Sequence, residues 1–201
     1  MTPDTPRFEN AIAAFDAANA QDPNRETFDG HEHPKELLYA RRMTAWLDRI
    51  APDAPEAVRL AARAQHVRRW TIPRGDYPMD RPGYHRWRTT LQRFHADTAG
   101  QLMRDAGYDD DTIARVGALL RKERLKDDPD TQLLEDVICL VFLESYFANF
   151  ARQHEREEEK LVTILRKTWK KMSPRAHAAA LSLPLEPDAR ALVERALGGN
   201  D

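Results

Sequence analysis

Apolar residues recur three and four positions apart through nearly the whole chain, and this spacing constrains the fold more than any other feature. Strand signals are almost absent. The 13 prolines fall between the periodic segments rather than inside them, and only 8 glycines occur among the 201 residues. The pattern predicts an all-α fold, a helical bundle of about eight to nine helices.

The periodic segments divide the chain into consecutive predicted helices, several of which begin or end at a proline or a glycine. We expect helices over residues 7–20, 34–50, 54–69, 84–106, 111–124, 130–150, 157–172, 174–182 and 187–197.

The length of the chain favours a single domain that is large enough to bury a core. We predict a core at about residues 34–150 with C-terminal helices at 157–198 packed on it. The longest internal connection, residues 71–83, contains both prolines and glycines and is the strongest candidate for a functional loop. His31 and His33 have a metal-like spacing but fall in a predicted loop, where we expect them to be exposed.

Composition excludes several classes of protein. The longest apolar run, residues 137–143, is far shorter than the roughly 20 residues of a membrane-spanning helix, and no apolar leader opens the chain, so we expect a cytoplasmic protein. The one cysteine, Cys139, excludes an intramolecular disulfide and a thiolate metal cluster built by this chain alone; a buried thiol is expected. The net charge of −2 removes the argument for a strongly basic nucleic-acid-binding domain.

Five ionisable side chains fall on the apolar face of their own predicted helix, where an unpaired charge is costly. A lone residue of this kind is usually a hydrogen-bonded core residue. Two imidazoles and three carboxylates from different helices are also the donor set with which helical bundles hold a divalent metal ion, so a structural network and a metal site both remain open. The five residues are Glu36, His66, His95, Glu123 and Asp136.

Positive charge is concentrated in the central segment, residues 63–93. Eight arginines occur there against two acidic residues and no lysine. A guanidinium group matches phosphate with two parallel hydrogen bonds, and the interleaved aromatic residues suit either base stacking or core packing. Several of these arginines closely follow His66, and Lys122 adds charge from a later helix, which favours a phosphorylated ligand. The candidate substrate-binding residues are Arg68, Arg74, Arg88, Lys122 and Tyr77, with Arg69 as a catalytic candidate that balances charge.

Five longer blocks of sequence resemble the domain of unknown function 4202 family over nearly the full length. The family carries no established activity, so this resemblance implies membership and no function. The blocks are PKELLYARRM at 34–43, AARAQHVRRWTIPR at 61–74, YHRWRTTLQRFHA at 84–96, LLRKERLKDDPDTQLLEDVICLVFLE at 119–144 and LRKTWKKMS at 165–173.

The order of the helices also resembles, more distantly, the HD superfamily of metal-dependent phosphohydrolases, which implies an HD-like helical bundle. Its metal ligands are a first-helix histidine, a His-Asp pair, sometimes further histidines and a late aspartate. Val67 stands at the position of the paired aspartate, so the resemblance implies one divalent ion (Mn, Fe, Zn, Ni or Co) rather than two. The implied ligands are His66, His95, Asp136 and Glu36, with Glu123 near an additional ligand position.

The leading hypothesis is therefore a metal-dependent phosphohydrolase acting on a nucleotide or another small phosphorylated metabolite. The metal would activate a bound water, and Glu123 or Glu36, if not a ligand, would act as general base. The alternatives are a non-catalytic nucleotide- or RNA-binding module that uses residues 63–93, and a purely structural protein. A nucleic-acid partner and a homodimer stay open. P-loop hydrolysis is excluded because no glycine-rich phosphate loop occurs.

Overall fold

The computed structural model describes residues 6–154 and 157–198, and within them the chain is predominantly helical, as predicted. The described helices are Pro6–Asn19 (α1), Lys35–Ile50 (α2), Glu56–Ala64 (α3), Arg81–Asp105 (α4), Asp110–Leu120 (α5), Pro129–Val141 (α6), Phe147–Gln153 (α7), Glu158–Trp169 (α8), Pro174–Leu181 (α9) and Pro187–Gly198 (α10).

A short hairpin replaces the loop predicted before α2. Strand β1, Arg25–Phe28, pairs in antiparallel fashion with β2, His31–Pro34, which contains both histidines of that predicted loop. Asp29 and Gly30 have φ angles of 49° and 76°, the positive values that the favoured two-residue hairpin turn requires. The prediction missed the hairpin because four-residue, mostly exposed strands leave no alternating apolar pattern, although the Asp-Gly pair is a recognised hairpin signal.

The chain divides into two compact units, residues 1–134 and 135–201. In the first unit, α3 packs against α1, α2 and α5, and α4 packs against α1 and α5. The predicted single domain, with its core at residues 34–150, is not tested by this division and stays a prediction. Fully buried side chains of the first unit include Phe15, Met43, Leu47, Leu60, Met103 and Leu119.

Helix α3 ends at Ala64, five residues before the predicted end at 69. The chain turns because Arg68 adopts a left-handed conformation, with φ of 53°, and its backbone N–H donates to Oδ1 of the buried Asn19 at 3.0 Å. His66 therefore lies in a turn after the helix rather than on the helix itself. Two short 3-10 turns follow, at Arg69–Thr71 and Arg74–Asp76, and α4 begins at Arg81, which ends the predicted 71–83 loop three residues early.

Helix α5 ends at Leu120, four residues before its predicted end. Lys122 and Arg124 have positive φ angles of 58° and 52°, which an α-helix does not accommodate. The prediction that Glu123 faces the core is consequently wrong: its side chain is 52% exposed and pairs with Arg121 at 2.6 Å. Helix periodicity cannot assign a face beyond the residue at which the helix ends.

In the second unit, the predicted helix 130–150 is interrupted by a π-helical turn at Phe142–Tyr146, after which α7 continues to Gln153. Helix α10 packs against α7 and α8. Cys139 is a buried thiol, as expected. Among the described residues, no helix is both long enough and apolar enough to cross a membrane.

Asp136 is buried, as its position on the apolar face of α6 predicts. Its Oδ1 accepts the backbone N–H of Ser173 at 2.8 Å, and its Oδ2 accepts the Ser173 hydroxyl at 2.5 Å. Ser173 is the N-cap of α9, with Pro174 at the first helical position as predicted. The carboxylate thus anchors the start of α9 within the second unit.

We expect Ser173→Ala to lower the free energy of unfolding by about 1–2 kcal/mol, because it removes both the cap of α9 and a partner of the buried Asp136. Urea unfolding followed by circular dichroism measures this change. The matched control is Ser182→Ala, whose exposed hydroxyl donates only to Ala179 O of the same turn, at 2.8 Å. Equal losses in the two variants would contradict the anchoring role of Asp136.

Candidate functional site

A cleft in the first unit brings together two imidazoles and three cationic side chains. About 240 Å³ of space not filled by protein atoms lies between and beside these side chains, part of it open solvent. Four lining residues lie on one face of α4, at positions i, i+3, i+4 and i+7, and the others follow the ends of α3 and α5. The lining residues are Gln65, His66, Arg69, Arg88, Leu91, Gln92, His95 and Lys122.

His66 is held by hydrogen bonds at both ring nitrogens. Its Nδ1 lies 3.0 Å from Glu36 Oε2, and its Nε2 lies 2.8 Å from Arg69 Nη1. Because a guanidinium group has only donors, Arg69 donates to Nε2, which must carry a lone pair. The proton of the neutral ring is then on Nδ1, which donates to Glu36. The lone pair of Nε2 lies on the Arg69 side of the ring.

Asn19, the last residue of α1, and Asp22, three residues beyond it, anchor the two segments that carry Glu36 and His66. Asp22, which is buried, accepts the backbone N–H of Glu36 through Oδ2 at 3.0 Å. Three residues earlier, Asn19 accepts the backbone N–H of Arg68, in the turn that carries His66 and Arg69. Neither anchor is visible in the sequence pattern, because both are single long-range hydrogen bonds.

Two aromatic rings fix the planes of the site residues. Tyr39 stacks on His66, with ring centroids 4.0 Å apart and an interplanar angle of 12°. The guanidinium of Arg69 lies 5.0 Å from the ring centroid of Trp87, whose Nε1 donates to Ile72 O at 2.9 Å. Sequence analysis did not single out Tyr39, although it stands three residues after Glu36 and so shares its face of α2.

Burial and positive charge keep both imidazoles neutral. Burial lowers the pKa of His66 well below its ordinary value of 6.5, and the positive charges of Arg69, Arg88 and Lys122 lower it further. Burial, followed by the effects of His66 and Arg69, lowers the pKa of His95 in the same direction. Neutral imidazoles retain a lone pair for a ligand or a proton.

Glu36 is the buried carboxyl group beside the cleft. Burial raises its pKa from 4.5 to about 7, although the positive charges of Arg69 and Lys35 oppose this rise. Its Oε1 also lies 3.9 Å from Arg69 Nε. The core-facing position predicted for Glu36 is confirmed, because the residue is buried in the first turn of α2.

His95 carries a buried nitrogen with no internal partner. The residue is 4% exposed, and its Nε2 has no hydrogen-bond partner in the part of the chain that the structure describes. Its ring centroid lies 5.7 Å from that of His66. An unsatisfied buried polar atom is costly, so a ligand or water in the cleft is its natural partner.

The structure gathers six of the predicted site residues and leaves five outside the cleft. Arg74 donates instead to Tyr77 O at 2.9 Å and to Asp80 O at 3.4 Å, which closes the 71–83 loop on itself. Arg68 is exposed. The six that line or adjoin the cleft are Glu36, His66, Arg69, Arg88, His95 and Lys122; those that do not are Arg68, Arg74, Tyr77, Glu123 and Asp136.

The predicted metal ligands, as arranged, do not form a metal-binding set. Over residues 6–154 and 157–198, no group of three or more His, Cys, Asp or Glu side chains is placed to hold a metal ion. His66 uses Nδ1 for Glu36 and Nε2 for Arg69, and both oxygens of Asp136 accept hydrogen bonds from Ser173. The predicted metal ion stays a prediction, which metal analysis of the purified protein tests.

Comparison with known proteins identifies a family without an assigned activity. The family model described as "Domain of unknown function (DUF4202)" matches residues 9–193. No curated protein and no solved structure matches the chain. The resemblance to the HD superfamily is not shown by these comparisons and stays a prediction.

The raised pKa of Glu36 predicts a specific pH dependence. Because the folded-state pKa of about 7 exceeds the unfolded value near 4.5, the contribution of Glu36 to stability is complete below pH 4.5 and is lost as the pH rises through 7. Glu36→Gln removes this titration. We expect the stability of the wild type relative to the variant to fall by on the order of 3 kcal/mol between these pH values.

Urea unfolding of both proteins from pH 4 to pH 8 measures this difference. Glu32→Gln, at an exposed position of strand β2, is the control for the substitution itself. If the free energy of unfolding of the wild type, relative to Glu36→Gln, increased as the pH rises, the burial of Glu36 would not govern its titration.

Proposed function

We propose that this chain, which belongs to the domain of unknown function 4202 family, binds the phosphate group of a nucleotide or another small phosphorylated metabolite in the His66 cleft and hydrolyses its ester bond. The observation that carries the proposal is the convergence of Arg69, Arg88 and Lys122 on two neutral imidazoles. This local charge stands out in a protein whose net charge is −2.

The ionisable side chains that line the cleft are basic. No acidic residue is among those that line it, and the adjoining carboxyl group, Glu36, has a raised pKa and is already bonded to His66. Cationic side chains in a cleft whose lining holds no acidic residue favour an anionic ligand, which offsets their charge and accepts hydrogen bonds from their donors. A phosphate group, with up to two negative charges and several acceptor oxygens, meets this need better than a single carboxylate.

Arg88 is the cation most available to such a ligand. It is half-buried, and it makes no hydrogen bond or ion pair with any residue in the described ranges. Arg69, by contrast, is oriented by His66 and by the ring of Trp87. One arginine is therefore oriented before the ligand binds, and the other retains all of its donors.

Hydrolysis is supported by the form of His66. A neutral imidazole with its Nδ1 proton held by a carboxyl group has the lone pair that a base or a nucleophile needs. Arg69, Arg88 and Lys122 would stabilise the negative charge that develops on the phosphoryl oxygens. Binding and chemistry would then use the same cleft.

We expect Arg88→Gln to weaken phosphate binding by about tenfold, the loss that corresponds to one charge-assisted hydrogen bond. Isothermal titration calorimetry with inorganic phosphate and with a panel of nucleoside monophosphates measures this loss. Arg93→Gln is the matched control, because Arg93 is exposed on the same helix and does not line the cleft. Failure of the wild type to bind any of these ligands would overturn the proposal, as would equal losses in the two variants.

A second candidate function, RNA binding without catalysis, is favoured by a different part of α4. Arg81, Arg86 and Arg93 are exposed, and Tyr84 between them is 44% exposed. Arginines beside an accessible aromatic ring suit a single-stranded nucleic acid, whose backbone and bases they would contact together.

For this candidate, fluorescence anisotropy with single-stranded RNA should show binding that weakens with salt. Arg86→Gln should reduce the slope of log affinity against log salt concentration by about 0.7, the value for one phosphate contact on a single strand. Arg41→Gln, an exposed arginine of α2, should leave the slope unchanged. RNA binding that is absent, or equally affected by both variants, would eliminate this candidate.

A further inference from the structure

We infer that Nε2 of His66 is the atom that accepts the phosphoryl group, so that hydrolysis proceeds through a phosphohistidine. This inference rests on the proposed function, because it requires a phosphate ester in the cleft. It assigns to His66 the role of a covalent nucleophile rather than of a metal ligand.

The hydrogen bonds of His66 determine which of its two ring nitrogens would be the nucleophile. The Nδ1 proton is engaged by Glu36, so the lone pair is on Nε2. Arg69 Nη1, 2.8 Å away, marks the direction of that lone pair. A phosphoryl group that enters along this direction would take the Arg69 donor for one of its oxygens and expose the lone pair to phosphorus.

The charges around Nε2 suit a phosphoryl group and oppose a metal ion. Arg69, Arg88 and Lys122 line the same cleft, and their charges act directly on His66. A divalent cation on Nε2 would face all three positive charges. A phosphoryl group, whose oxygens gather negative charge during transfer, is stabilised by the same three side chains.

The reaction balances without a cofactor. In the first step the Nε2 lone pair forms a bond to phosphorus, and the bond from phosphorus to the ester oxygen breaks with its electron pair on that oxygen, which takes a proton from water. In the second step a water molecule attacks phosphorus and gives up a proton to the hydroxide left by the first step, and the phosphorus–nitrogen bond breaks with its electron pair returning to Nε2. The products are the alcohol and inorganic phosphate, and the ring regains its neutral form.

Glu36 and Tyr39 are positioning residues in this scheme. After transfer the ring carries positive charge, which the Glu36 carboxylate on Nδ1 stabilises, and the stacked Tyr39 restrains ring rotation. His95 serves the second step. Its buried Nε2, which has no partner in the described part of the chain, is available to hold the attacking water.

The test is covalent labelling of the full chain with ³²P-acetyl phosphate, a small activated phosphoryl donor, in the presence of EDTA. We expect a label that survives alkali and is lost in acid, as a phosphoramidate is. Mass spectrometry of the labelled wild type should locate the phosphate on His66, which requires no variant to fold. His66→Ala should abolish the label, whereas His85→Ala, an exposed histidine of α4, should retain it.

Glu36→Gln distinguishes positioning from a merely structural role. It should slow labelling by about tenfold or more while leaving the calorimetric affinity for inorganic phosphate close to that of the wild type. Loss of phosphate affinity in parallel with the labelling rate would overturn the assignment of Glu36 as a positioning residue.

Two outcomes separate this inference from the function on which it rests. If inorganic phosphate binds but no label appears on His66, or if turnover of the nucleotide panel requires a metal that EDTA removes, the phosphohistidine is overturned and the phosphate site stands. If neither inorganic phosphate nor any nucleotide binds the wild type, the proposed function fails, and this inference fails with it.

Discussion

The candidate site depends on the fact that a guanidinium group has only hydrogen-bond donors. Because Arg69 lies on Nε2 of His66, that nitrogen carries a lone pair, and the proton of the neutral ring must be on Nδ1. Glu36 therefore accepts the hydrogen bond from Nδ1 of His66 rather than donating one. One geometric relation thus determines the tautomer of the histidine, the role of the buried carboxyl group and the side of the ring on which the lone pair lies.

Arg69, which determines this tautomer, also acts with Arg88 and Lys122 to keep the ring neutral. Burial and three positive charges lower the pKa of His66, while burial raises that of Glu36, so the two groups are driven toward their neutral forms from opposite directions. Such a site would be unfavourable for folding if it had no ligand, since its cations repel one another. An anion would offset that cost, which links the electrostatics of the cleft to the chemistry proposed for it.

Sequence periodicity was sufficient to place Glu36, His95 and Asp136 in the interior, because each stands within a helix whose apolar face is continuous. It failed for Glu123, where the helix had already ended and left-handed residues redirect the chain. Periodicity also does not show which group a buried side chain bonds to. Asp136 shares the core-facing pattern of the two histidines, yet both of its oxygens accept hydrogen bonds from Ser173. The hydrogen-bond partner of a buried side chain depends on tertiary geometry, which the spacing of apolar residues along the sequence does not reveal.

The anchors at the end of α1 have a consequence for the order in which the site assembles. Asp22 and the Glu36 backbone are 14 residues apart, whereas Asn19 and the Arg68 backbone are 49 apart. The difference in loop-closure entropy is about 1 kcal/mol, so the shorter loop closes more readily. During folding, the start of α2, which carries Glu36, should therefore contact Asp22 first. The turn that carries His66 should then reach a Glu36 that is already in its final place.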